Sequence, residues 1–548
     1  MKRLALALGL VALAAAGSVA QTDSATPLHW AVYRGDVQEV DRLIARGANV
    51  RAATREGVTP LAMACQYGNL PIVERLVKAG SDPKERGPNG ETMLMFAARN
   101  GNVALIRRLV AAGVDVNARE ELRGTTALMW AAEQRHPDAV TALLAAGADP
   151  GIASGPAGLP RNYMAPRVDV RAVDEARARR QRAAAAGRTY DEQVALERRA
   201  PPAVVGQNTS GRAPDASPDD DDVVVQAGLV GKGGGGLTAL VFAAREGDIE
   251  SAKALLAGGA KINQTTEYGW TPLLTAINNR NYALADMLMD RGADVNLANK
   301  GGWTPLYLAT DNRNIEGGDY PVPKPDLDHL EIIRSLLAHG ANPNARVRDN
   351  TLTRTIFTMQ WFFEDGATPF IRAAQSSDTA LMKLLLEYKA DPTLASANGD
   401  NALTAAGGIG WVEGVTYERS PQENVEALRM LLDLGLDPNH ANSEGRTALM
   451  GAALKGRNAA VQLLVDRGAK LEIHDKGSRD TDKFGSAAAG HTWQALDYAE
   501  GLVRVGVQSA AAYPETAALI RRLMTERGLP VPPENRNILS ICVVSLCQ

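Results

Sequence analysis

Aromatic side chains make up only 5% of this 548-residue sequence, and cysteine occurs three times. So few rings give little material for several large globular cores, and three cysteines cannot build a disulfide framework. Charge of one sign is lacking too: 59 Lys and Arg stand against 63 Asp and Glu, a formal net charge of −4. That balance removes the unopposed positive field on which nucleic-acid and anionic-membrane binding rest. Catalytic signatures are also missing. None of the seven histidines forms an H-E-x-x-H pair, and no G-x-S-x-G elbow occurs. "GLVGKGGGG" puts Gly233 after Lys232 where a phosphate loop needs Ser or Thr. "DTDKFG" from Asp480 to Gly485 has Phe484 at a calcium-ligand position and His491 where the bidentate Glu belongs. No cofactor, metal or catalytic residue is expected.

Long apolar runs are absent after the first 20 residues. There Lys2 and Arg3 precede an apolar stretch from Leu4 to Ala16, and Ser18 and Ala20 occupy the −3 and −1 positions of a cleavage site. This is the pattern of a secretory signal cut before Gln21, and the run is short for a bilayer span. The mature chain is therefore expected to be soluble, without a membrane span, monomeric, and periplasmic or secreted.

What is present is a repeat. Thr26, Thr59 and Thr92 open "TPLHWAVYRGD", "TPLAMACQYGN" and "TMLMFAARNGN" at a period of 33, and Thr126 follows with "TALMWAAEQRH". Thr238, Thr271 and Thr304 form a second series at the same period, and Thr368, Asn401, Thr447 and Thr492 open four more copies. Eleven copies result. In each, Thr suits the cap of a helix and the Pro of "TPL" suits its first turn. A Gly nine residues on, such as Gly35, Gly68 or Gly101, suits a left-handed helix exit. A second helix with pairs such as Leu43–Ile44 or Leu143–Leu144 follows, then another Gly and an extended "ADVN" or "ANPN" turn. Such a helix pair cannot bury its apolar stripe alone; stacking on a neighbour does it.

This grammar resembles the ankyrin repeat. The resemblance implies an all-α solenoid with hairpin-like fingers, and protein recognition on the concave face and finger edge. From about Gly366 onward the text is also similar to exported bacterial ankyrin proteins, which implies an accessory role for an envelope or stress-related protein. One departure is that the histidine of "TPLH" survives only as His29.

The expected organisation is a signal at 1–20, repeats 1–4 over 24–150, and an insertion over 151–236. Repeats 5–11 then span 237–530 and a tail spans 531–548. The insertion mixes a helix-prone Arg/Ala segment with Pro, Asp and Gly clusters. Arg177, Arg179, Arg180 and Arg182 have acidic neighbours Asp174, Glu175, Asp191 and Glu192, which reads as a solvated helix rather than a nucleic-acid surface. Cys65 sits where other copies carry Ala, as a small core residue. Cys542 and Cys547 either close a small ring, remain an unpaired tail or serve as an intermolecular handle.

Four further insertions fall after residue 310, which points any specialised surface to the C-terminal half. They hold Tyr320, Phe357, Trp361, Phe362, Phe363, Trp411 and Tyr417. Phe362 and Phe363 are expected to fold back against the solenoid. Trp270 and Trp303, in the variable slot before "TPL", are expected to face a partner, together with Tyr320, Trp361 and Trp411; the alternative for the two slot tryptophans is that they stack on each other for stability. The alternative function is an enzyme or small-ligand protein with a site built from the insertions, using His329, Asp326 or His491.

Overall fold

The computed structural model describes residues 25–155, 235–315, 324–348, 365–411, 416–417, 419–477, 492–503 and 511–534, with a few positions between 182 and 197. Outside the described residues lie the signal segment, nearly all of the large insertion, and Tyr320, Trp361, Phe362, Phe363, His491, Cys542 and Cys547. The described helices form eleven antiparallel pairs. They belong to two compact units, Met1–Lys261 and Ile262–Gln548.

Unit 1 holds five pairs: α1 Pro27–Tyr33 and α2 Val37–Ala45, α3 Pro60–Gln66 and α4 Leu70–Lys78, α5 Met93–Asn100 and α6 Val103–Ala111, α7 Ala127–Glu133 and α8 Pro137–Ala145, α9 Ala239–Glu246 and α10 Ile249–Ala257. Each first helix packs on the first helix of the next pair. After residue 155 the chain leaves and returns to the same place. Ala153 bridges Thr238, Ser154 N–H donates to Leu237 O at 2.8 Å, and α9 packs directly on α7.

Unit 2 holds six pairs: α11 Pro272–Asn278 and α12 Tyr282–Asp290, α13 Pro305–Asn314 and α14 His329–Ala338, α15 Pro369–Gln375 and α16 Thr379–Glu387, α17 Ala402–Gly407 and α18 Pro421–Asp433, α19 Ala448–Leu454 and α20 Asn458–Asp466, α21 Ala495–Ala499 and α22 Pro514–Glu526. The repeat grammar explains these elements locally. In nine pairs the predicted Thr caps the first helix and its hydroxyl accepts the N–H of the third helical residue. The last copy departs from the expected register: Gln494, not Thr492, stands at the cap position. "QAL" there takes the place of "TPL", and Trp493 moves into the slot that Trp270 and Trp303 occupy.

The Asn of each "VN" or "PN" turn links neighbours. Asn296 Nδ2 donates to Gly340 O at 2.9 Å while its Oδ1 accepts Asn342 N–H at 2.8 Å. Asn117, Asn344 and Asn439 repeat both bonds one copy on. Backbone groups left open at the end of one second helix are thus satisfied by the preceding copy.

The fingers stack as closely as backbone allows. Lys300 N–H donates to Tyr268 O, and Arg348 N–H donates to Gly301 O. A Cβ at Gly302, whose φ is +79°, would lie 3.0 Å from Arg348 N, so this position requires glycine for both conformation and space.

Candidate functional site

The slot before "TPL" is interior. Trp270 and Trp303 are both 0% exposed. Their backbones close the finger turns: Trp270 N–H donates to Thr266 Oγ1 at 3.1 Å, and Trp303 N–H to Asn299 Oδ1 at 3.0 Å. The Trp303 ring meets Tyr307 edge-on, with centroids 4.9 Å apart. Close stacking of successive fingers covers this slot, so these two tryptophans are core residues, not the partner-facing strip expected from sequence. Trp411 is half-buried, with Lys455 Nζ 3.6 Å from its ring centroid, a cation–π contact.

In unit 2 Tyr417 is 46% exposed, and in unit 1 the exposed rings stand on or just after the first helices. Trp30 is 43% exposed, Tyr33 57% and Tyr67 52%. They form a run of edge-on contacts, Trp30 to Tyr33 at 6.0 Å and Tyr33 to Tyr67 at 5.8 Å. Phe96 and Trp130, both half-buried, continue it two copies on at 6.1 Å. Sequence reasoning missed this row, although the signal was available. Trp30, Met63, Phe96, Trp130 and Phe242 each stand four residues after the capping Thr, a period that puts them on one face of the stack. Large rings held partly in water mark interaction surfaces on a chain otherwise poor in them.

The charges beside this row are unevenly satisfied. Glu133 and Glu246 both pair with Arg245, at 2.8 and 2.9 Å, and Asp36 accepts Glu39 N–H at the start of α2. Arg34, Arg99 and Arg135 are exposed. Arg99 lies 5.9 Å from the Trp130 ring centroid.

Unit 2 contains a second, inward constellation. His329 Nδ1 and Tyr282 Oη hydrogen-bond at 2.9 Å. Asp326 Oδ1 accepts Tyr282 N–H at 2.7 Å, capping α12, whose own Asn281 makes no side-chain cap. Burial first, and the Arg280 and Arg313 cations next, hold the His329 ring down to about 4. It is a neutral structural imidazole at ordinary pH. Asp326 and His329 therefore serve the start of α12.

Arg313 and Arg419 both reach Asp378, at 2.7 and 2.9 Å. Arg372 Nε donates to Asp311 Oδ1 at 2.7 Å, and its Nη2 to Asn314 O at 2.6 Å. Every partner is polar protein, so this cluster fastens the insertions of the seventh and ninth copies to the eighth. Among the described residues no group of three or more His, Cys, Asp or Glu is placed to hold a metal ion, and no helix is long and apolar enough to cross a membrane.

Comparison with known proteins decides the family. Models of ankyrin repeats match residues 4–86, 64–154, 240–347 and 419–465. The chain belongs to the ankyrin repeat family. A curated relative, palmitoyltransferase AKR1 of Lachancea kluyveri, is 30% identical over 154 residues. That alignment covers 28% of this chain and 20% of the relative, so the chain matches about a fifth of that protein's length.

One departure in this ankyrin chain now has a geometry. In the first copy the His29 ring reaches Thr26 Oγ1 at 2.9 Å with Nδ1 and Val58 O of the next finger at 3.0 Å with Nε2. In the third copy Met95 stands there, with its sulfur 3.3 Å from Thr92 N. The repeat persists without the histidine because the Thr cap and the finger bonds remain.

Proposed function

We propose that this ankyrin chain is an exported protein-interaction scaffold, and that the first-helix face of unit 1 docks an extended segment of another protein. The family supports the scaffold reading. The observation that carries the choice of surface is the exposed ring row Trp30–Tyr33–Tyr67, backed by Phe96 and Trp130. Tyr and Trp are the side chains on which binding energy concentrates, and a face built from short rigid helices spends little entropy in ordering. In the insertions of unit 2, Arg313 and Arg419 are held by Asp378 and Asp311 by Arg372, whereas the rings of unit 1 form a continuous contact run.

Export is proposed on the text of residues 1–20 alone. An envelope or stress-related partner is proposed on the similarity to exported bacterial ankyrin proteins. The activity in the name of the palmitoyltransferase relative is not carried over, since so little of that protein is matched.

The docking surface is tested by placing a photo-crosslinking residue at Tyr33 or Tyr67 and, as a control, at Glu74, exposed on α4. A common adduct from the two tyrosine positions and none from Glu74 is expected. Adducts only from Glu74 would overturn the choice of face. N-terminal sequencing of the secreted or periplasmic chain should begin at Gln21, and an intact Met1 would refute cleavage.

A further inference from the structure

We infer that the docked segment is a proline-rich polyproline-II helix, laid along the first-helix face of unit 1 with one of its turns on each copy. This rests on the docking reading above and adds the conformation and composition of the partner.

Charge does not choose the occupant. Arg245 pairs with Glu133 and Glu246. The exposed Arg34, Arg99 and Arg135 bring three more cations, and the exposed Asp36 and Asp138 two more carboxylates, so each sign counts four. A strip balanced in this way suits a ligand without charge. Backbone pairing does not choose the occupant either. The face is made of helices, whose N–H and C=O groups are bonded along each helix, so a β-strand finds no edge to extend.

What the face offers is rings at a regular interval. Trp30, Met63, Phe96 and Trp130 stand at one position of four consecutive copies, and Tyr33 and Tyr67 lie beside the first two. The contacting rings meet nearly at right angles: 86° for Trp30 and Tyr33, 77° for Tyr33 and Tyr67, 78° for Phe96 and Trp130. Each such pair sets the face of one ring beside the edge of the next, an aromatic notch that a proline ring fits. One notch lies on the first two copies and another on the third and fourth.

The interval matches one backbone conformation. A polyproline-II helix has about three residues per turn and rises about 3.1 Å per residue, hence about 9 Å per turn. Neighbouring helices of the solenoid pack about 8–10 Å apart. Every third residue of such a segment therefore meets the equivalent position of the next copy. A β-strand returns to the same face about every 7 Å and falls out of step. Polyproline II is also formed before binding, so a shallow row of rings is not charged with ordering it.

Hydrogen bonding agrees with the same ligand. Proline has no N–H, so a proline-rich segment brings mainly carbonyl acceptors. The exposed rings of the first two copies carry donors, the indole N–H of Trp30 and the phenol O–H of Tyr33 and Tyr67. Trp130 instead donates its N–H to Thr125 Oγ1 at 2.8 Å, so its notch holds a proline by apolar contact. The chain secures a proline-rich stretch of its own through its carbonyls. In "PVPPE" from Pro530 to Glu534, Arg521 donates to both Pro532 O and Pro533 O.

The test uses the full chain and three uncharged, fluorescein-labelled peptides of about 12 residues, the length of about four polyproline-II turns. One repeats Pro-Pro-Ala, one is a strand-forming repeat of Thr-Val-Thr-Ser, and one is a flexible repeat of Gly-Ser-Ala. Anisotropy should show the proline peptide binding at least about tenfold tighter than either control. Its affinity should change less than about twofold between low and physiological salt, since no charge is screened. Tyr33→Phe and Tyr67→Phe keep the rings and lose only the donors. Each should weaken the proline peptide about two- to tenfold at an unchanged melting temperature. Equal binding of the three peptides, no binding of the proline peptide, or an unchanged affinity in both Phe variants overturns the inference. If the three peptides bind equally and Tyr33→Ala weakens all of them, the docking face stands and only its preference for proline falls. If adducts at Tyr33 and Tyr67 are also absent, the docking reading falls with it.

Discussion

Ile315 and Thr416 form an antiparallel bridge between the seventh and ninth copies, and Tyr417 N–H extends it by donating to Asn314 O at 3.0 Å. The eighth copy supplies the group that anchors this joint. Its Asp378 carboxylate, almost sealed from water, holds Arg313 and Arg419, one arginine from each side. It also caps α16 by accepting Leu381 N–H at 3.2 Å.

Asp378→Asn should therefore lower stability by roughly 3–5 kcal/mol, because two largely buried guanidinium groups lose their counter-charge. Replacing all three members with apolar residues (Asp378→Leu, Arg313→Met, Arg419→Met) should recover much of that loss. Urea denaturation measures both. A change under about 1 kcal/mol in Asp378→Asn would show that the arginines reach water instead.

Trp303→Ala and Trp270→Ala should each cost roughly 3–5 kcal/mol, the range for truncating a fully buried aromatic. Neither should alter binding beyond what unfolding explains. Thermal melts and the crosslinking yield at Tyr33, at a temperature where both variants are folded, separate the effects. Weak binding with an unshifted melt would return these rings to the surface.

His329 gives a pH dependence of defined sign. Its ring pKa is held down to about 4, so below pH 6.5 the unfolded chain takes up a proton that the folded ring refuses. Stability contributed by the neutral ring is full above pH 6.5 and is lost as pH falls toward 4. Asp400, fully buried and pushed up to about 6 by that burial, works in the opposite direction over an overlapping window. The readout is thus the difference between His329→Asn and the parent. The variant should lose about 1–2 kcal/mol less on acidification from pH 7 to 4, after discounting for solvent screening at a half-buried ring. Parallel curves would assign the acid sensitivity elsewhere.

Cys65 lies wholly inside α3, and burial, reinforced by the nearby Glu85 charge, pushes its thiol well above the usual range. In a Cys542→Ser, Cys547→Ser background, Ellman's reagent should react only at the rate of unfolding. Prompt reaction in the folded chain would contradict this.

Ten of the eleven first-helix caps, the turns and the pairing of helices were legible in the sequence because each depends on residues within one copy. Thr at a helix start, Gly at its exit and Asn in the linking turn act through bonds spanning a few positions or one neighbour. A period of 33 repeats those bonds down the chain. Even the displaced last copy had its signal, since "QAL" reads as "TPL" two residues late.

Exposure was decided only in three dimensions. Trp270, Trp303 and Trp493 share one slot and Trp30 another, and nothing local says which slot the next finger covers. The finger backbones approach within hydrogen-bonding distance and bury the first, while among the described residues Trp30, Tyr33 and Tyr67 on the first-helix face stay partly in water. Likewise, Asp326 and His329 look like ligands in sequence, but tertiary packing brings them to an uncapped helix and a tyrosine hydroxyl. Periodicity fixes which residues lie side by side, while the closeness of adjoining copies fixes which of them a partner can reach.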